Sequence, residues 1–217
     1  MKRCKNCGLE KQETEFYITK QGYYRPSCKS CVRKETGEWS QQRRIAVDEL
    51  KRDTPCKDCG NIYPPYCMEY DHIRNKTSSI SRMVLSHRSL SSIKKEIAKT
   101  ELVCILCHRH RTYSRSNNNY TAGHKKKIEF IWSLKSNPCS QCGLVYHPWQ
   151  MDFDHINPSQ KTKNVAQLTD HSMKRITEEI SKCILLCALC HRRKTYAATC
   201  NQANAKSYQC DKLPATP

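Results

Sequence analysis

The sequence has few of the side chains that fill a large hydrophobic core. Only 37% of its 217 residues are hydrophobic, and it contains three Phe and three Trp. A unit of about 60 residues buries too little surface to be comfortably stable, and metals or disulfides usually reinforce such units. We therefore expect small, cross-linked modules rather than one large apolar core.

Long apolar runs are also missing. The N-terminal sequence MKRCKNCGLEKQETEF has no apolar stretch that could serve as a signal peptide. No run approaches the roughly 20 apolar residues that span a membrane. These absences predict a protein that is not secreted and has no membrane partner. We expect it in the cytoplasm or another intracellular reducing compartment, where disulfides are rare.

Cysteine, in contrast, is abundant. Twelve of the sixteen cysteines form six Cys-x2-Cys pairs, and two such pairs together are typical of a structural zinc site. Disulfides are the alternative, and a reducing compartment disfavours them. We therefore expect three structural Zn²⁺ ions. Their predicted ligands are Cys4, Cys7, Cys28 and Cys31; Cys56, Cys59, Cys104 and Cys107; and Cys139, Cys142, Cys187 and Cys190.

The stretch from Cys56 to Thr112 occurs twice. Adding 83 to each number carries Cys56 to Cys139, Asp71 to Asp154 and Cys104 to Cys187. Such self-similarity marks an internal repeat. We call residues 42–115 repeat 1 and residues 125–198 repeat 2. Within each, a strand-like Met-acid-aromatic-Asp-His-Ile segment, a helical segment and a basic helix predict a ββα unit held by zinc.

The repeat and the cysteine pairs together predict the domain organisation. The fold class is small, zinc-stabilised α+β modules. The predicted segments are a zinc-ribbon-like module at 1–34, a linking helix at 35–53, a first ββα domain at 54–115, a linker with its helix at 116–135, a second ββα domain at 136–198 and a disordered tail at 199–217. Cys67 and Cys183 align with non-cysteine residues and are expected to pack; Cys200 and Cys210 of the tail could bind metal but belong to none of the three predicted sites.

The sequence is strongly basic, with a formal net charge of +18. A Zn²⁺ ion held by four thiolates carries −2, so three such sites leave about +12. This surplus favours a polyanionic partner, most commonly nucleic acid. A basic surface without a partner is the alternative. Candidate contacts to the DNA backbone are Lys76, Arg109 and Arg111 in repeat 1 and Lys161, Arg192 and Lys194 in repeat 2.

Three residues in each repeat have side chains suited to phosphodiester chemistry. Asp71 and His108 could bind a divalent ion, and His72 could act as a general base. A regular strand points neighbouring side chains to opposite faces, so Asp71 and His72 can act at one site only if the strand ends or bulges there. Repeat 2 has the same set: Asp154, His155 and His191.

The pattern Cys-x2-Cys, Asp-His-Ile, Cys-x2-Cys-His resembles the zinc-containing branch of the HNH endonucleases, which have a ββα-metal motif. The likeness covers both repeats, and residues 1–34 resemble zinc-ribbon-like modules that precede some phage nuclease domains. The resemblance implies a metal-dependent DNA endonuclease that binds Mg²⁺ or another divalent ion. It implies that Asp71 and His108, and Asp154 and His191, bind this ion, with His72 and His155 as bases.

One feature of the family is missing from both repeats. Many relatives have Cys-x-Asn-Cys-His, whereas Leu106 and Leu189 stand at the Asn position here, and Lys99 and Lys182 lie near the middle Asn. A catalytically inactive, zinc-dependent DNA-binding or regulatory protein is therefore the alternative function. With two complete Asp-His sets in one chain, we expect a monomer in which each repeat cuts one strand.

Overall fold

A computed structural model describes the backbone of residues 1–86, 88–116 and 120–202, and side chains as far as 198. These residues form a small α+β arrangement with four two-stranded sheets. Most of the predicted tail, and most of the Asn-rich linker after Ser116, lie outside the described residues. The first four residues of that tail instead continue the last helix, which ends at Gln202.

The described strands are two to five residues long, and the described helices are six to 21 residues long. The strands are β1 (Lys2–Arg3), β2 (Glu10–Lys11), β3 (Phe16–Ile18), β4 (Tyr24–Cys28), β5 (Met68–His72), β6 (Thr100–Cys104), β7 (Met151–His155) and β8 (Cys183–Cys187). The helices are α1 (Lys29–Glu49), α2 (Ile80–Leu85), α3 (Leu90–Ile97), α4 (Ile105–Arg115), α5 (Ala122–Lys135), α6 (Met173–Ile180) and α7 (Ala188–Gln202). None of the described helices is both long and apolar enough to cross a membrane.

The chain divides into two compact units. The first comprises Met1–Leu50 and His72–Thr100; the second comprises Lys51–Asp71 and the described residues from Glu101 onward. The division therefore separates Asp71 from His72, within repeat 1. Repeat 2 lies wholly in the second unit.

In the first unit, strands β1 and β2, and then β3 and β4, form two antiparallel hairpins. Helix α1 begins at Lys29, directly after Cys28, so Cys31 lies in its first turn. The sequence predicted a helix at 35–53. The helix starts six residues earlier because the second cysteine pair is itself a strand-to-helix turn, and it ends at Glu49. Phe16 packs with Cys4 and Cys28 in a small buried cluster.

In the second unit, each repeat closes with a strand, a Cys-x2-Cys turn and a helix. Strands β7 and β8 pair without interruption from Met151↔Cys187 to His155↔Cys183. Strands β5 and β6 form the corresponding sheet. Helices α4 and α7 each begin directly after the first cysteine of their last pair, Cys104 and Cys187. This places His108 and His191 on the first turns of two equivalent helices.

The two repeats share a hydrophobic core in the second unit. One buried cluster includes Met68 and Val103 from repeat 1 and Met151 and Leu186 from repeat 2. Aromatic stacking is reciprocal: Tyr66 stacks on Tyr196 with ring centroids 4.0 Å apart, and Tyr113 stacks on Trp149 at 3.8 Å. Tyr66 and Trp149 occupy equivalent repeat positions, as do Tyr113 and Tyr196. Each repeat therefore contacts the other through equivalent residues, in an approximately two-fold symmetric arrangement. Together the two small modules bury one common core.

Candidate metal centres and active site

In the part of the chain that the structure describes, three clusters of four cysteines could each hold a metal ion. Within each cluster the four Sγ atoms lie within 4.8 Å of one another, and the three clusters are the three predicted ligand sets. A tetrahedral zinc site with Zn–S bonds of 2.3 Å has sulfur atoms about 3.8 Å apart. The Sγ atoms of Cys4 and Cys31, and of Cys142 and Cys187, are 3.9 Å apart. The spacing therefore suits zinc, and the described cysteines are all free thiols.

The three cysteine clusters share one construction. In each, a glycine follows the second cysteine with φ of 70–73°, a left-handed conformation that favours glycine. The backbone N–H of Cys28, Cys104 or Cys187 donates to the first sulfur of its cluster at 3.2 Å. Such N–H donors favour the thiolate, the form that binds zinc.

The same donors lower the pKa of the first cysteine in each cluster. Backbone N–H groups of Cys28 and Cys7 lower the pKa of Cys4 to about 6. Burial acts to raise the pKa of Cys139, but the N–H groups of Cys142 and Cys187 outweigh it and lower the pKa to about 7. The first cysteine of each cluster therefore loses its proton more readily than an ordinary cysteine and is available to a cation as the thiolate.

In repeat 2, Asp154 and His191 lie side by side. His191 Nε2 is 3.5 Å from Asp154 Oδ1, and His191 Nδ1 is 2.9 Å from Asp152 Oδ2. Strand β7 brings Asp152 and Asp154 to one face because side chains two residues apart point the same way. A carboxylate on the second ring nitrogen orients a histidine as in many metal sites. Asp154 and His191 could therefore share a divalent cation, with Asp152 holding the ring.

Repeat 1 has the same arrangement within the second unit. His108 Nε2 is 3.5 Å from Asp71 Oδ1, and His108 Nδ1 contacts Glu69. The Glu69 carboxylate raises the pKa of His108, an effect that burial only partly offsets. Burial alone would raise the pKa of Asp71, but hydrogen bonds from Arg115 and Arg111 hold it below its usual value.

His155, the predicted base of repeat 2, points away from Asp154. Its Nε2 lies 2.7 Å from Glu179 Oε1 on helix α6, and both side chains are buried. Strand β7 keeps its register as far as His155 and then ends, so Asp154 and His155 point to opposite faces. Burial alone would raise the pKa of Glu179, but bonds from Lys182 and Thr162 hold it far below its ordinary range. The carboxylate beside His155 is therefore ionised.

His72 has an equivalent partner in the first unit. Its Nε2 lies 3.0 Å from Glu96 Oε1. Lys99 Nζ donates to Glu96 Oε2 at 2.7 Å, and together with the backbone N–H of Thr77 it lowers the pKa of Glu96 to about 2. Lys99 and Lys182, which stand near the family's middle Asn, thus each bond the carboxylate that holds a predicted base. Leu106 and Leu189, at the other Asn position, are buried in the shared core.

Most of the candidate DNA-binding side chains have carboxylate partners within the protein. Arg109 donates two bonds of 2.8 Å to Asp152, and Arg192 bonds Glu69 at the equivalent place. Arg111 bonds Asp58, Asp71 and Glu101, and Lys194 bonds Asp154 at 2.5 Å. Lys76 and Lys161 are exposed. Four of the six predicted residues therefore join parts of the second unit.

Sequence reasoning missed two kinds of residue in these sites. Glu69 and Asp152, which orient the terminal histidines, were detectable because they lie two positions before Asp71 and Asp154 on the same strand face. Glu96 and Glu179, which hold His72 and His155, were detectable because the glutamate recurs at the matching repeat position. Of the four cysteines outside the clusters, the structure describes the side chains of two, which behave as packing residues: Cys67 is buried, and the Cys183 Sγ donates to the Glu179 carbonyl oxygen at 3.4 Å.

Comparison with protein-family models, with curated proteins and with solved structures finds no match for this chain.

Proposed function

We propose that this chain is a metal-dependent DNA endonuclease of the HNH type that hydrolyses phosphodiester bonds as a monomer. The observation that carries the proposal is the repeated Asp–His–carboxylate arrangement beside a cysteine cluster. In each repeat an Asp carboxylate lies 3.5 Å from a histidine nitrogen, and a second carboxylate orients that histidine. A purely structural zinc module has no need of this arrangement.

Asp154 and His191 would hold a divalent ion such as Mg²⁺ in repeat 2. A carboxylate is a good ligand for hard cations, and an imidazole is a good ligand for first-row transition metals. Asp152 fixes the imidazole so that Nε2 faces Asp154. When bound, such an ion stabilises negative charge on the scissile phosphate and the leaving oxygen. The Zn²⁺ ion of the adjoining cysteine cluster would hold His191 in place, since His191 follows Cys190 directly.

His155 is the proposed general base. Glu179 accepts a hydrogen bond from Nε2–H, which leaves the Nδ1 lone pair as the basic site. A buried carboxylate behind an imidazole also stabilises the imidazolium that forms when water is deprotonated. His155 is the last residue of its strand, and the proposal requires a phosphate at this strand end to lie within reach of both His155 and Asp154.

The decisive experiment is cleavage of supercoiled plasmid by the zinc-loaded protein with Mg²⁺, compared with EDTA. We expect nicked or linear product only with Mg²⁺. Asp154→Asn and His155→Ala should each remove repeat 2 cleavage, whereas Glu178→Gln, an exposed neighbour of Glu179, is the control. Metal-independent DNA binding without any cleavage would overturn the proposal.

That outcome would favour the second candidate, an inactive zinc-dependent DNA-binding protein. One observation favours this candidate: Asp154 and His155 point to opposite faces of strand β7, toward helices α7 and α6. DNA binding, in either case, would use the positive charge that remains after zinc is bound.

A further inference from the structure

The two Asp–His centres differ in the cations that surround the aspartate. Asp71 of repeat 1 accepts hydrogen bonds from both terminal nitrogens of Arg115, at 3.0 and 2.9 Å, and from Arg111 at 3.0 Å. Its side chain is only 6% exposed. Three charge-assisted bonds therefore already fill the carboxylate of repeat 1.

Repeat 2 lacks this guanidinium pair. The position of Arg115 is occupied by Ala198, and that of Arg111 by Lys194. Among the lysines and arginines that the structure describes, Lys194 alone bonds Asp154, through Nζ at 2.5 Å, and the Asp154 side chain is 18% exposed. The lysine ammonium of repeat 2 forms one bond to its aspartate, where the two guanidiniums of repeat 1 form three.

Arg111 is also held by two further carboxylates. It donates to Asp58 through Nε at 2.7 Å and to Glu101 at 2.8 Å. The matching residues in repeat 2 are Gln141 and Ile184, which carry no charge. A cation entering repeat 1 would have to displace two guanidiniums that stay charged at any relevant pH, one of them held by two further carboxylates.

We infer that repeat 1 is closed to divalent cations by its own arginines and that repeat 2 carries the exchangeable metal site of the chain. This inference rests on the proposed function, because it concerns the same kind of site. It changes the expectation from the sequence that each repeat cuts one strand. Repeat 1 would instead support the shared core, with Arg115 and Arg111 in place of a metal ion.

The test is the number of Mn²⁺ ions that the zinc-loaded, full-length protein binds, measured by electron paramagnetic resonance without DNA. We expect one Mn²⁺ per chain, lost in Asp154→Asn while the zinc content stays at three. Two Mn²⁺ ions in the wild type, or one retained in Asp154→Asn, would overturn the inference but leave the nuclease proposal standing. Binding of no Mn²⁺ would overturn both.

Exchanging residues between the repeats provides a matched pair of variants. Arg115→Ala combined with Arg111→Lys gives repeat 1 the residues of repeat 2, and should create a second Mn²⁺ site. Ala198→Arg combined with Lys194→Arg gives repeat 2 the guanidinium pair, and should weaken Mn²⁺ binding at least about tenfold, since a strong bidentate competitor then occupies Asp154. Unchanged Mn²⁺ counts and affinities in both folded variants would also overturn the inference.

Discussion

Glu179 lies 2.7 Å from His155 and is almost completely buried. Because His155 and Asp154 point to opposite faces of strand β7, the role of Glu179 can be tested apart from metal binding. We predict that Glu179→Gln lowers the cleavage rate by about 10- to 100-fold, because the amide no longer stabilises the imidazolium. Mn²⁺ binding at Asp154 and His191 should be unchanged. Glu178→Gln, one residue away and exposed, should cleave at the wild-type rate. Equal rates for both variants would remove Glu179 from the mechanism.

His108 gives a prediction about pH. Its pKa is raised in the folded protein by Glu69, so the stability it contributes is fully present below its unfolded pKa of about 6.5. That contribution is lost as the pH rises through the folded pKa. The melting temperature of the wild type should therefore fall more than that of His108→Gln between about pH 6 and pH 9. The measurement is thermal unfolding of zinc-loaded protein under reducing conditions; parallel curves for the two proteins would contradict it.

At the scale of residues, the sequence predicted which residue types form the sites better than it predicted the directions in which their side chains point. It identified Asp154, His191 and the cysteines that the structure brings together. It left open whether Asp154 and His155 share a face, because a regular strand fits the pattern as well as a strand that ends or bulges there. It also could not show that Arg115 bonds Asp71, since the two residues are 44 positions apart and Arg115 has no arginine counterpart in repeat 2.

At the scale of elements, the reciprocal arginines between the repeats should matter unequally. Arg109 and Asp152 are both mostly buried and share two bonds, whereas the Arg192 side chain is 44% exposed. We predict that Arg109→Ala destabilises the protein by about 1–3 kcal/mol, because Asp152 loses its bidentate partner. Arg192→Ala should cost at most about 1 kcal/mol. Urea unfolding of the two variants measures the difference, and equal losses would contradict it.

The cysteine clusters should decide whether the elements fold at all. Structural zinc sites supply about 10–16 kcal/mol in zinc-finger peptides, as much as the whole stability of a typical domain. We predict three zinc ions per chain by native mass spectrometry. Cys139→Ser should lose one zinc ion and the cooperative unfolding transition of the second unit. Cys183→Ser, outside the clusters, should keep all three; loss of zinc from both variants, or from neither, would contradict the assignment.

The sequence predicted elements well where cysteines mark them and less well elsewhere. Helices α4 and α7 begin at their cysteine pairs as the spacing indicated. Helix α1 begins at Lys29, so Cys31 lies inside its first turn. The prediction of a linking helix at 35–53 did not include these residues. The sharing of one core by the two repeats depends on contacts such as Tyr113 on Trp149, and a repeat pattern alone does not show that its copies touch.

At the scale of the molecule, charge is distributed unevenly between free and paired cations. The chain has 38 Lys and Arg against 20 Asp and Glu, yet several carboxylates of the second unit are already bonded to Arg109, Arg111, Arg115, Arg192 and Lys194. Those five cations are partly neutralised before any partner arrives. Net charge therefore predicts a polyanionic partner, but it does not identify the side chains that contact it.

This difference leads to a prediction about salt dependence. With roughly six phosphate contacts, DNA affinity should fall about a thousandfold between 50 and 200 mM salt. Lys161→Ala should lower the slope of log affinity against log salt by about one, because an exposed ammonium releases one counterion equivalent from DNA. Arg192→Ala should leave the slope unchanged, since that guanidinium bonds Glu69 and the Tyr66 carbonyl oxygen and not phosphate. Fluorescence anisotropy titrations at several salt concentrations measure all three slopes. The prediction would be contradicted by a lower slope for Arg192→Ala together with an unchanged slope for Lys161→Ala. That result would mean that the arginines between the repeats leave their carboxylate partners and contact DNA phosphate.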